Sequence, residues 1–296
     1  MESSTTPAAP ISNVAILSTG TAEQHREHRY GSRLPKTLWA LFSRSWVTVP
    51  INVFLIEHQK GLILFDTGLD PAIVSDPKYV SMEIGRFFLR RVFRFHIGPE
   101  DTLARKLREA GYRADKISKA IISHLHFDHI GCIADVPQAE LLVSRTEWHR
   151  LSEPHPEMDW LLREHIELPD TDWCPVDFTH TDDPLLAPFG GAHDLMGDQS
   201  MMLLPTPGHT DGSMSLLVRS DGMAPLLMIG DLAYGADLLL RDQIPGVGDQ
   251  ATLRATYAKV RELKKQLPDL TILATHDPAA KEALAAALEN TLMSVA

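Results

Sequence analysis

The densest group of metal-binding residue types lies between Ser123 and His129, in the heptapeptide SHLHFDH. In extended backbone, side chains two positions apart point to the same side, so His124 and His126 can present their imidazoles to one ion from the end of a strand. Asp128 and His129 follow after the chain has begun to turn. We therefore expect these two residues to face a neighbouring ion.

Three further residues of the same types each follow an apolar run. His209 follows MMLLPTPG, Asp231 follows PLLMIG, and His276 follows LTILAT. Loops at one end of a sheet converge in space, and a rigid scaffold positions binding residues there. Seven ligands are enough for two divalent ions, and imidazole and carboxylate ligands without thiolate favour Zn²⁺, although Co²⁺, Mn²⁺ or Fe²⁺ can occupy the same positions.

The chain has 14 histidines, and nine of them lie outside this group of ligands. A lone histidine is most often a surface or core residue, so we interpret these nine in that way. They are His25, His28, His58, His96, His149, His155, His165, His180 and His193.

Short apolar runs, ended by Gly, Pro or Asp, predict a protein rich in β-strands. A turn at 59–61 predicts a hairpin between the first two strands, and helices are predicted over 99–111 and 250–266. The mixed order of these elements predicts an α/β (α+β) fold, an αββα sandwich of two mixed β-sheets flanked by helices. The predicted strands cover 51–56, 62–65, 117–122, 201–204, 214–218, 226–229 and 270–274.

The charge and the cysteine content of the chain argue against some classes of function. The formal net charge is −11, from 28 Lys and Arg against 39 Asp and Glu. A nucleic-acid partner is therefore not expected, because neutralising phosphates requires a basic face, and a small-molecule substrate fits better. The two cysteines, Cys132 and Cys174, lie far apart and are interpreted as isolated thiols.

The start of the chain, MESSTTPAAP, has neither a basic segment nor a long apolar run, so residues 1–10 are predicted to be a flexible tail rather than a secretory signal. No run approaches the ~18 apolar residues of a membrane span. We therefore expect a cytoplasmic protein with a single domain over 11–296 and a helical insertion near 75–98.

The string SHLHFDH, together with TPGHT, GD and a late TH, resembles the metallo-β-lactamase superfamily, and all seven ligand positions match. Within it the chain is most similar to the N-acyl homoserine lactonases, which degrade bacterial quorum signals. That closer similarity rests on SHLHFDHIG, on the early LFDTGLDP, and on GDLAY, which places Tyr234 three residues after Asp231. It extends from about residue 51 to residue 277.

The resemblance implies a role for each matching position. One ion would be held by His124, His126 and His209, the other by Asp128, His129 and His276, with Asp231 as the bridging carboxylate. A hydroxide that bridges the metals would attack the lactone carbonyl. Asp128 would relay a proton, Tyr234 would hydrogen-bond the substrate carbonyl or the developing oxyanion, and Asp66 would orient a histidine ligand.

Two features depart from the family pattern. Many relatives have GHTxGH where this chain has GHTDGS, so Ser213 replaces a histidine close to the ligands. The stretch 75–99 is longer than expected and rich in Phe and Arg. Met82, Phe87 and Phe88 in this stretch are predicted to cover the acyl chain of a substrate, while packing on the core, a basic helix against a membrane or partner, and a homodimer interface remain alternatives.

Other activities of the same fold also remain open. Another ester, a thioester or a phosphotriester could be hydrolysed in the same site. A diiron oxidoreductase is less favoured, because it typically has Glu where His126 stands and carries an appended flavin domain. A metallo-nuclease is less favoured for want of a basic nucleic-acid face.

Overall fold

The computed structural model describes residues 9–294, in which two β-sheets are stacked between helices. Residues 1–8 of the predicted tail lie outside the described residues. The strands are β1 Ile11–His25, β2 Trp46–His58, β3 Gly61–Phe65, β4 Phe93–His96, β5 Ile117–Ile121, β6 Glu140–Ser144, β7 Asp172–Val176, β8 His193–Asp194, β9 Met201–Pro205, β10 Met214–Ser220, β11 Met223–Met228 and β12 Thr271–Leu273.

The first sheet has seven strands in the order β4-β1-β2-β3-β5-β6-β7, and the second has five in the order β12-β11-β10-β9-β8. Both sheets are mixed. In the first, the neighbouring strands β4, β1, β2 and β3 are antiparallel to one another. The neighbouring strands β3, β5, β6 and β7 are parallel. In the second, only β11 and β12 are parallel.

Eleven α-helices and several short 3₁₀ turns connect the strands of the described chain. The α-helices are α1 Arg26–Tyr30, α2 Lys36–Phe42, α3 Ala72–Ser75, α4 Glu83–Val92, α5 Leu103–Glu109, α6 Phe127–Ile130, α7 Arg145–His149, α8 Arg163–Ile166, α9 Ala236–Leu240, α10 Gln250–Gln266 and α11 Ala280–Ser294. Among the described residues, none of these helices is both long and apolar enough to cross a bilayer.

Three apolar layers hold the sandwich together. Between the sheets, side chains such as Phe54 and Phe65 pack against Leu203 and Leu216. Helix α5 covers the outer face of the first sheet. Helix α10 covers the outer face of the second sheet with its apolar stripe, which is buried from Leu253 to Leu263 as the 3.6-residue period requires. The predicted αββα sandwich is therefore confirmed.

The segment predicted as a helical insertion contains more than a helix. Helix α4 is followed directly by β4, which pairs with Thr21–Gln24 of β1 and so joins the segment to the first sheet. Strand β1 itself was not predicted. Its sequence mixes Ser, Thr and Gly, and its register with β2 shifts between Ser18 and Thr21, so the regular alternation that marks a strand is interrupted.

Candidate metal centre

The loops that carry the predicted ligands leave the two sheets at a common edge. His124 follows β5, His209 follows β9, Asp231 follows β11 and His276 follows β12. Strands β9 and β11 are both antiparallel to β10, and β12 is parallel to β11, so these three strands end at the same edge. Ligands separated by up to 152 positions in the chain therefore meet in space.

The two sheets are joined at this edge by short contacts. The Met214 backbone N–H, at the start of β10, donates to the Ser123 carbonyl at 3.0 Å. Gly230, at a φ of +52°, approaches so closely that a Cβ there would lie 2.8 Å from the Ser123 Cβ. A side chain at Gly230 would push the Asp231 loop away from the His124 loop.

Three histidines direct ring nitrogens at one point. His126 Nδ1 lies 3.0 Å from His124 Nε2 and 3.1 Å from His209 Nε2. Four ligands held tetrahedrally at ~2.0–2.1 Å from one Zn²⁺ would lie about 3.3 Å from one another, so this spacing suits a shared ion. Burial lowers the pKa of His124 and His126 well below the ordinary value and that of His209 to about 4. All three are then neutral, the form that binds a metal.

A second group combines Asp128 with His129 and His276. Asp128 Oδ2 lies 3.3 Å from His276 Nε2, and Asp128 Oδ1 lies 3.8 Å from His129 Nε2. The side chain of Asp128 retains 18% of its surface exposed, whereas His129 is fully buried. Asp128 is therefore the part of this group that a molecule arriving from solvent can reach.

The carboxylate of Asp231 lies between the two groups. Its Oδ1 is 3.3 Å from His129 Nε2 and 3.2 Å from His276 Nε2, while its Oδ2 is 3.6 Å from His209 Nε2. Among the described residues, Oδ1 of Asp231 and Nε2 of His129 are buried without a hydrogen-bond partner. A cation in this space would satisfy both atoms, so the donor set fits a metal ion.

The electrostatics of the cluster also favour a cation. Burial alone would lower the pKa of His276, but the carboxylates of Asp231 and Asp128 outweigh it and raise the value to about 10. Burial would raise the pKa of Asp128, yet His129 and His276 bring it to about 2. The carboxylates thus stay ionised at neutral pH and stabilise positive charge beside them.

Asp66 is buried at the end of β3 and contacts the ligand loop from behind. Its carboxylate accepts hydrogen bonds from His129 Nδ1 at 2.8 Å, from the Ser123 backbone N–H at 2.8 Å and from Thr275 Oγ1 at 3.3 Å. The bond to Nδ1 leaves Nε2 of His129 facing Asp231. In a metal site this contact fixes the tautomer and the ring orientation of the ligand.

Tyr234 lies over the cluster, with its ring stacked on that of His276 at 5.5 Å between centroids. Its hydroxyl donates to Asp231 Oδ2 at 3.2 Å and lies 2.9 Å from His28 Nε2. Because the tyrosine proton goes to Asp231, His28 must be the donor in the second bond. Burial lowers the pKa of His28 to about 3, so its ring is neutral and carries that one N–H.

His28 is thus a contact of the site that the sequence analysis did not find, because a lone histidine 206 positions from Tyr234 has no local signal. Arg29, its neighbour in α1, is also buried, and its Nη1 donates to the His276 carbonyl at 3.0 Å. Helix α1 therefore supports the tyrosine and one ligand loop together.

Glu147, in α7, is a second residue that the sequence analysis did not single out. Its buried carboxylate accepts from the Leu125 N–H at 3.1 Å, from Thr210 Oγ1 at 2.7 Å and from the Gly212 N–H at 3.2 Å. One carboxylate therefore ties the loop of His124 and His126 to the loop of His209.

The sequence signal at Glu147 is that of a helix start. Ser144 caps α7 by accepting the Glu147 N–H at 3.0 Å, as the pattern S-x-x-E predicts, but the glutamate carboxylate turns to the ligand loops. The hydroxyl of Ser213 also lies in this network, 2.7 Å from Thr210 Oγ1. It thereby completes the turn that contains His209.

The predicted substrate residues lie in and just before α4. Met82 precedes α4, and the rings of Phe87 and Phe88 in α4 contact each other at 5.5 Å, with Phe87 56% exposed. The aromatic rings that reach the ligand loop include those of Phe93 and Phe95. Their centroids lie 6.2 and 6.0 Å from that of Phe127, which stands between His126 and Asp128.

Comparison with known sequences gives a consistent result. Residues 46–276 match the model of the metallo-beta-lactamase superfamily. The chain is 28% identical to the N-acyl homoserine lactonase AttM of Rhizobium radiobacter over 241 residues, which cover 78% of this chain and 82% of the relative. It is 31% identical to a probable metallo-hydrolase of Mycobacterium tuberculosis over 244 residues, 77% of this chain and 74% of that protein.

Solved structures share the fold. An N-acyl homoserine lactone hydrolase with the product N-hexanoyl-L-homoserine bound at its catalytic metal centre superposes with a TM-score of 0.72 at 21% identity, covering 92% of this chain and 96% of that one. AidC, a dizinc quorum-quenching lactonase, superposes with a TM-score of 0.62 at 19% identity and 92% coverage of both chains.

At these identities the structural similarity shows the fold alone. The family assignment rests on the sequence match. The match covers most of the chain and includes every ligand loop from His124 to His276. As the SHLHFDH motif predicts, the chain belongs to the metallo-beta-lactamase superfamily.

Proposed function

We propose that this metal-dependent hydrolase opens the lactone ring of N-acyl homoserine lactones at a dinuclear metal site. The observation that carries the proposal is the position of Asp231, whose two carboxylate oxygens face two separate groups of ligands while one of them also accepts the Tyr234 hydroxyl. Relatives named N-acyl homoserine lactonase and the product-bound hydrolase of the same fold support the choice of substrate.

In this proposal His124, His126 and His209 would hold one ion, Asp128, His129 and His276 would hold the other, and Asp231 would contribute its carboxylate to both. Three-membered groups drawn from these residues have their ligand atoms within 4.8 Å of one another. Divalent ions bound there would lower the pKa of a shared water towards ~7 and polarise the lactone carbonyl. Histidine and carboxylate ligands favour Zn²⁺ for both positions.

Asp128 is suited to carry a proton. Its carboxylate lies 3.3 Å from His276 Nε2, and it is the accessible acid of the site, with 18% of its side chain exposed. It can accept a proton from the attacking water and return it to the ring oxygen that leaves when the lactone opens.

Tyr234 is suited to stabilise negative charge on the substrate. Burial and the neighbouring carboxylates of Asp231 and Asp128 raise the pKa of its hydroxyl well above the ordinary value, so the group keeps its proton. The His28 N–H holds the phenol oxygen from behind, which leaves the tyrosine proton free to turn from Asp231 to a carbonyl oxygen as charge develops there.

The acyl chain needs an apolar surface beside the site. A cavity of about 390 Å³ is lined by apolar side chains that include Tyr79, Leu89, Phe93 and Phe95, with Asp76 and three arginines also in its wall. The ring of Phe93 lies 5.4 Å from that of His28 between centroids. We place the acyl chain along this cavity. Met82, just before α4, and Phe87 and Phe88, in α4, remain predicted to cover the acyl chain.

Substrate profiling tests the proposal. Zinc-loaded protein is assayed for ring opening with N-hexanoyl and N-decanoyl homoserine lactone, and for hydrolysis of an aryl phosphotriester and an acyl thioester. The expected result is a kcat/KM for at least one lactone that exceeds those for the other two classes and falls about a hundredfold in Tyr234→Phe. Lactones that stay intact while the phosphotriester is turned over would assign a different substrate to this site.

A further inference from the structure

Positive charge is concentrated in two segments of this acidic protein. Residues 33–46 and 81–96 contain seven of the 28 Lys and Arg residues and one of the 39 Asp and Glu residues, a net charge of +6. The remainder of the chain therefore carries −17 against the total of −11. We call the surface formed by these two segments the arginine face.

The two segments form one surface because α2 packs against α4. Arg91 of α4 donates through Nη2 to the Ser43 carbonyl at 2.9 Å, and the Arg94 guanidinium lies 4.0 Å from the centroid of the Trp46 ring. Between the segments is an open cavity of about 520 Å³. It is lined by Ser43, Arg44, Trp46, Arg90, Arg91 and Arg94.

Two of these arginines are not engaged by the protein. Arg91 is held by backbone carbonyls, and Arg94 pairs with Glu23 at 3.1 Å. Arg44 and Arg90 are exposed and have no ion pair or side-chain hydrogen bond with any described residue. Both cations are therefore available to an external anion.

The same face exposes large apolar side chains. Of the nine large apolar residues that are exposed in the described part of the chain, six lie in these two segments, with Phe42 at 71% and Phe87 at 56% exposure. Such a concentration is unusual on the surface of a protein that acts alone in water. The six are Leu34, Leu38, Leu41, Phe42, Ile84 and Phe87.

We propose that the arginine face docks on the surface of an anionic phospholipid bilayer. Short helices that combine Arg with Phe, Leu and Trp lie in the interface of such bilayers, with the apolar side chains among the acyl chains and the cations at the lipid phosphates. Here Phe42 and Phe87 supply the inserting rings, and Arg44 and Arg90 supply the unpaired cations. The acidic remainder of the molecule faces away from the bilayer.

Two other occupants fit the face less well. A second copy, paired through a two-fold axis, would bring Arg44 and Arg90 of both copies together, and like charges oppose that contact. A nucleic acid would match the cations but would leave Phe42 and Phe87 without an apolar partner. An anionic lipid surface satisfies both kinds of side chain.

Vesicle flotation with the full-length, zinc-loaded protein tests the proposal. The probes are vesicles of phosphatidylcholine alone and of phosphatidylcholine mixed with phosphatidylglycerol. The wild-type protein is expected to float only with the mixed vesicles and to be released by high salt. The double variant Arg44→Glu/Arg90→Glu is expected to lose at least roughly tenfold in partition coefficient.

Matched controls separate this face from net charge and from folding. Arg108→Glu/Arg254→Glu makes the same charge change on α5 and α10 and should bind the mixed vesicles like the wild type. Phe42→Ser/Phe87→Ser should bind them weakly. Its control, Met158→Ser/Leu240→Ser, removes two other exposed apolar side chains and should bind like the wild type. Zinc content checks that each variant is folded. Equal binding to both kinds of vesicle, or full binding by Arg44→Glu/Arg90→Glu, would overturn the proposal. If the protein does not bind the vesicles, two other results would also overturn the proposal. One is that the protein retains duplex DNA, and the other is that it forms a dimer that Phe42→Ser/Phe87→Ser dissociates.

Discussion

At the scale of single residues, His28 and Glu147 show why a ligand motif is only part of a site. The motif residues follow one another or follow apolar runs, so their types and positions can be recognised in the sequence. His28 acts on Tyr234 from 206 positions away, and Glu147 reaches both Leu125 and Thr210 from a helix start. Neither contact depends on local sequence, so neither could be predicted before the chain was folded.

The contact between His28 and Tyr234 predicts a coupled loss of activity. His28→Leu removes the ring N–H that fixes the phenol oxygen, so we expect kcat for lactone opening to fall about tenfold with zinc content unchanged. In a Tyr234→Phe background the same change should cost almost nothing, because the hydroxyl that His28 holds is gone. Steady-state kinetics on the four proteins of this cycle measure the coupling.

A matched control for this cycle is His25→Leu, which alters another buried histidine near α1. His25 bonds to Arg91 and has no contact with Tyr234, so its change should be additive with Tyr234→Phe. Additive losses for His28→Leu as well would show that His28 only packs.

Glu147 predicts an effect on metal affinity. In Glu147→Gln an amide NH₂ group faces N–H and O–H donors, so Leu125, Thr210 and Gly212 lose part of their hydrogen bonding and the loops of His124, His126 and His209 are less well held. A chelator competition measures the affinity for the zinc ion that is removed first. We expect that affinity to fall about tenfold. Glu109→Gln, on the solvent side of α5, is the control and should bind zinc like the wild type.

The same residue predicts a pH dependence of stability. Burial raises the pKa of Glu147 above its ordinary value of 4.5, although Arg150 and the Thr210 hydroxyl act in the opposite direction. Just above pH 4.5 the folded protein therefore keeps a proton that the unfolded chain has lost, so stability falls as pH rises through this window. Urea unfolding of the metal-free proteins should show the wild type losing free energy of unfolding relative to Glu147→Gln as pH increases.

At the scale of elements, the strands that precede ligands were predicted to within three residues at either end, while others were missed. Strand β5 was predicted over 117–122 and is observed as Ile117–Ile121, because Ile117 and the apolar run 120–122 are buried in the sandwich. Strand β1 was missed because its stability comes from pairing with β2 and β4 on both sides rather than from its own residues. Propensity is visible in the sequence, and pairing is not.

Gly212 lies where the loop of His209 meets α7, and we predict that this position does not tolerate even a single added methyl group. A Cβ at Gly212 would overlap the backbone nitrogen and Cα of Glu147, which cannot move without shifting the helix. Gly212→Ala is expected to lower the free energy of unfolding by about 2 kcal/mol or more and to release zinc. Gly85→Ala is the control, because the nearest atom there is a flexible Val80 methyl at 3.0 Å.

Chemical denaturation with parallel zinc analysis measures both effects. If Gly212→Ala were as stable as Gly85→Ala, the approach of the loop to α7 would not be needed for the fold.

At the scale of the whole molecule, the ligand cluster is the point where the two sheets depend on each other. The first sheet supplies the loop from His124 to His129, and the second supplies His209, Asp231 and His276. The acids among them are buried or nearly so and ionised, which costs free energy unless positive charge lies between them. Bound cations would therefore stabilise the whole sandwich and not only the site.

This arrangement predicts that metal removal lowers the stability of the entire fold. A ligand that binds only the folded state at a thousandfold excess over its Kd adds about 4 kcal/mol, which for a protein of this size corresponds to roughly 6 °C in Tm. Calorimetry of chelator-treated protein should show one transition that returns to the higher Tm when Zn²⁺ is restored. Asp231→Asn should lose most of that increase because it weakens the carboxylate that faces both groups, whereas Asp177→Asn, paired with Arg145 on the surface, should keep it. A Tm that zinc leaves unchanged in the wild type would mean that the two sheets are held by their apolar core alone.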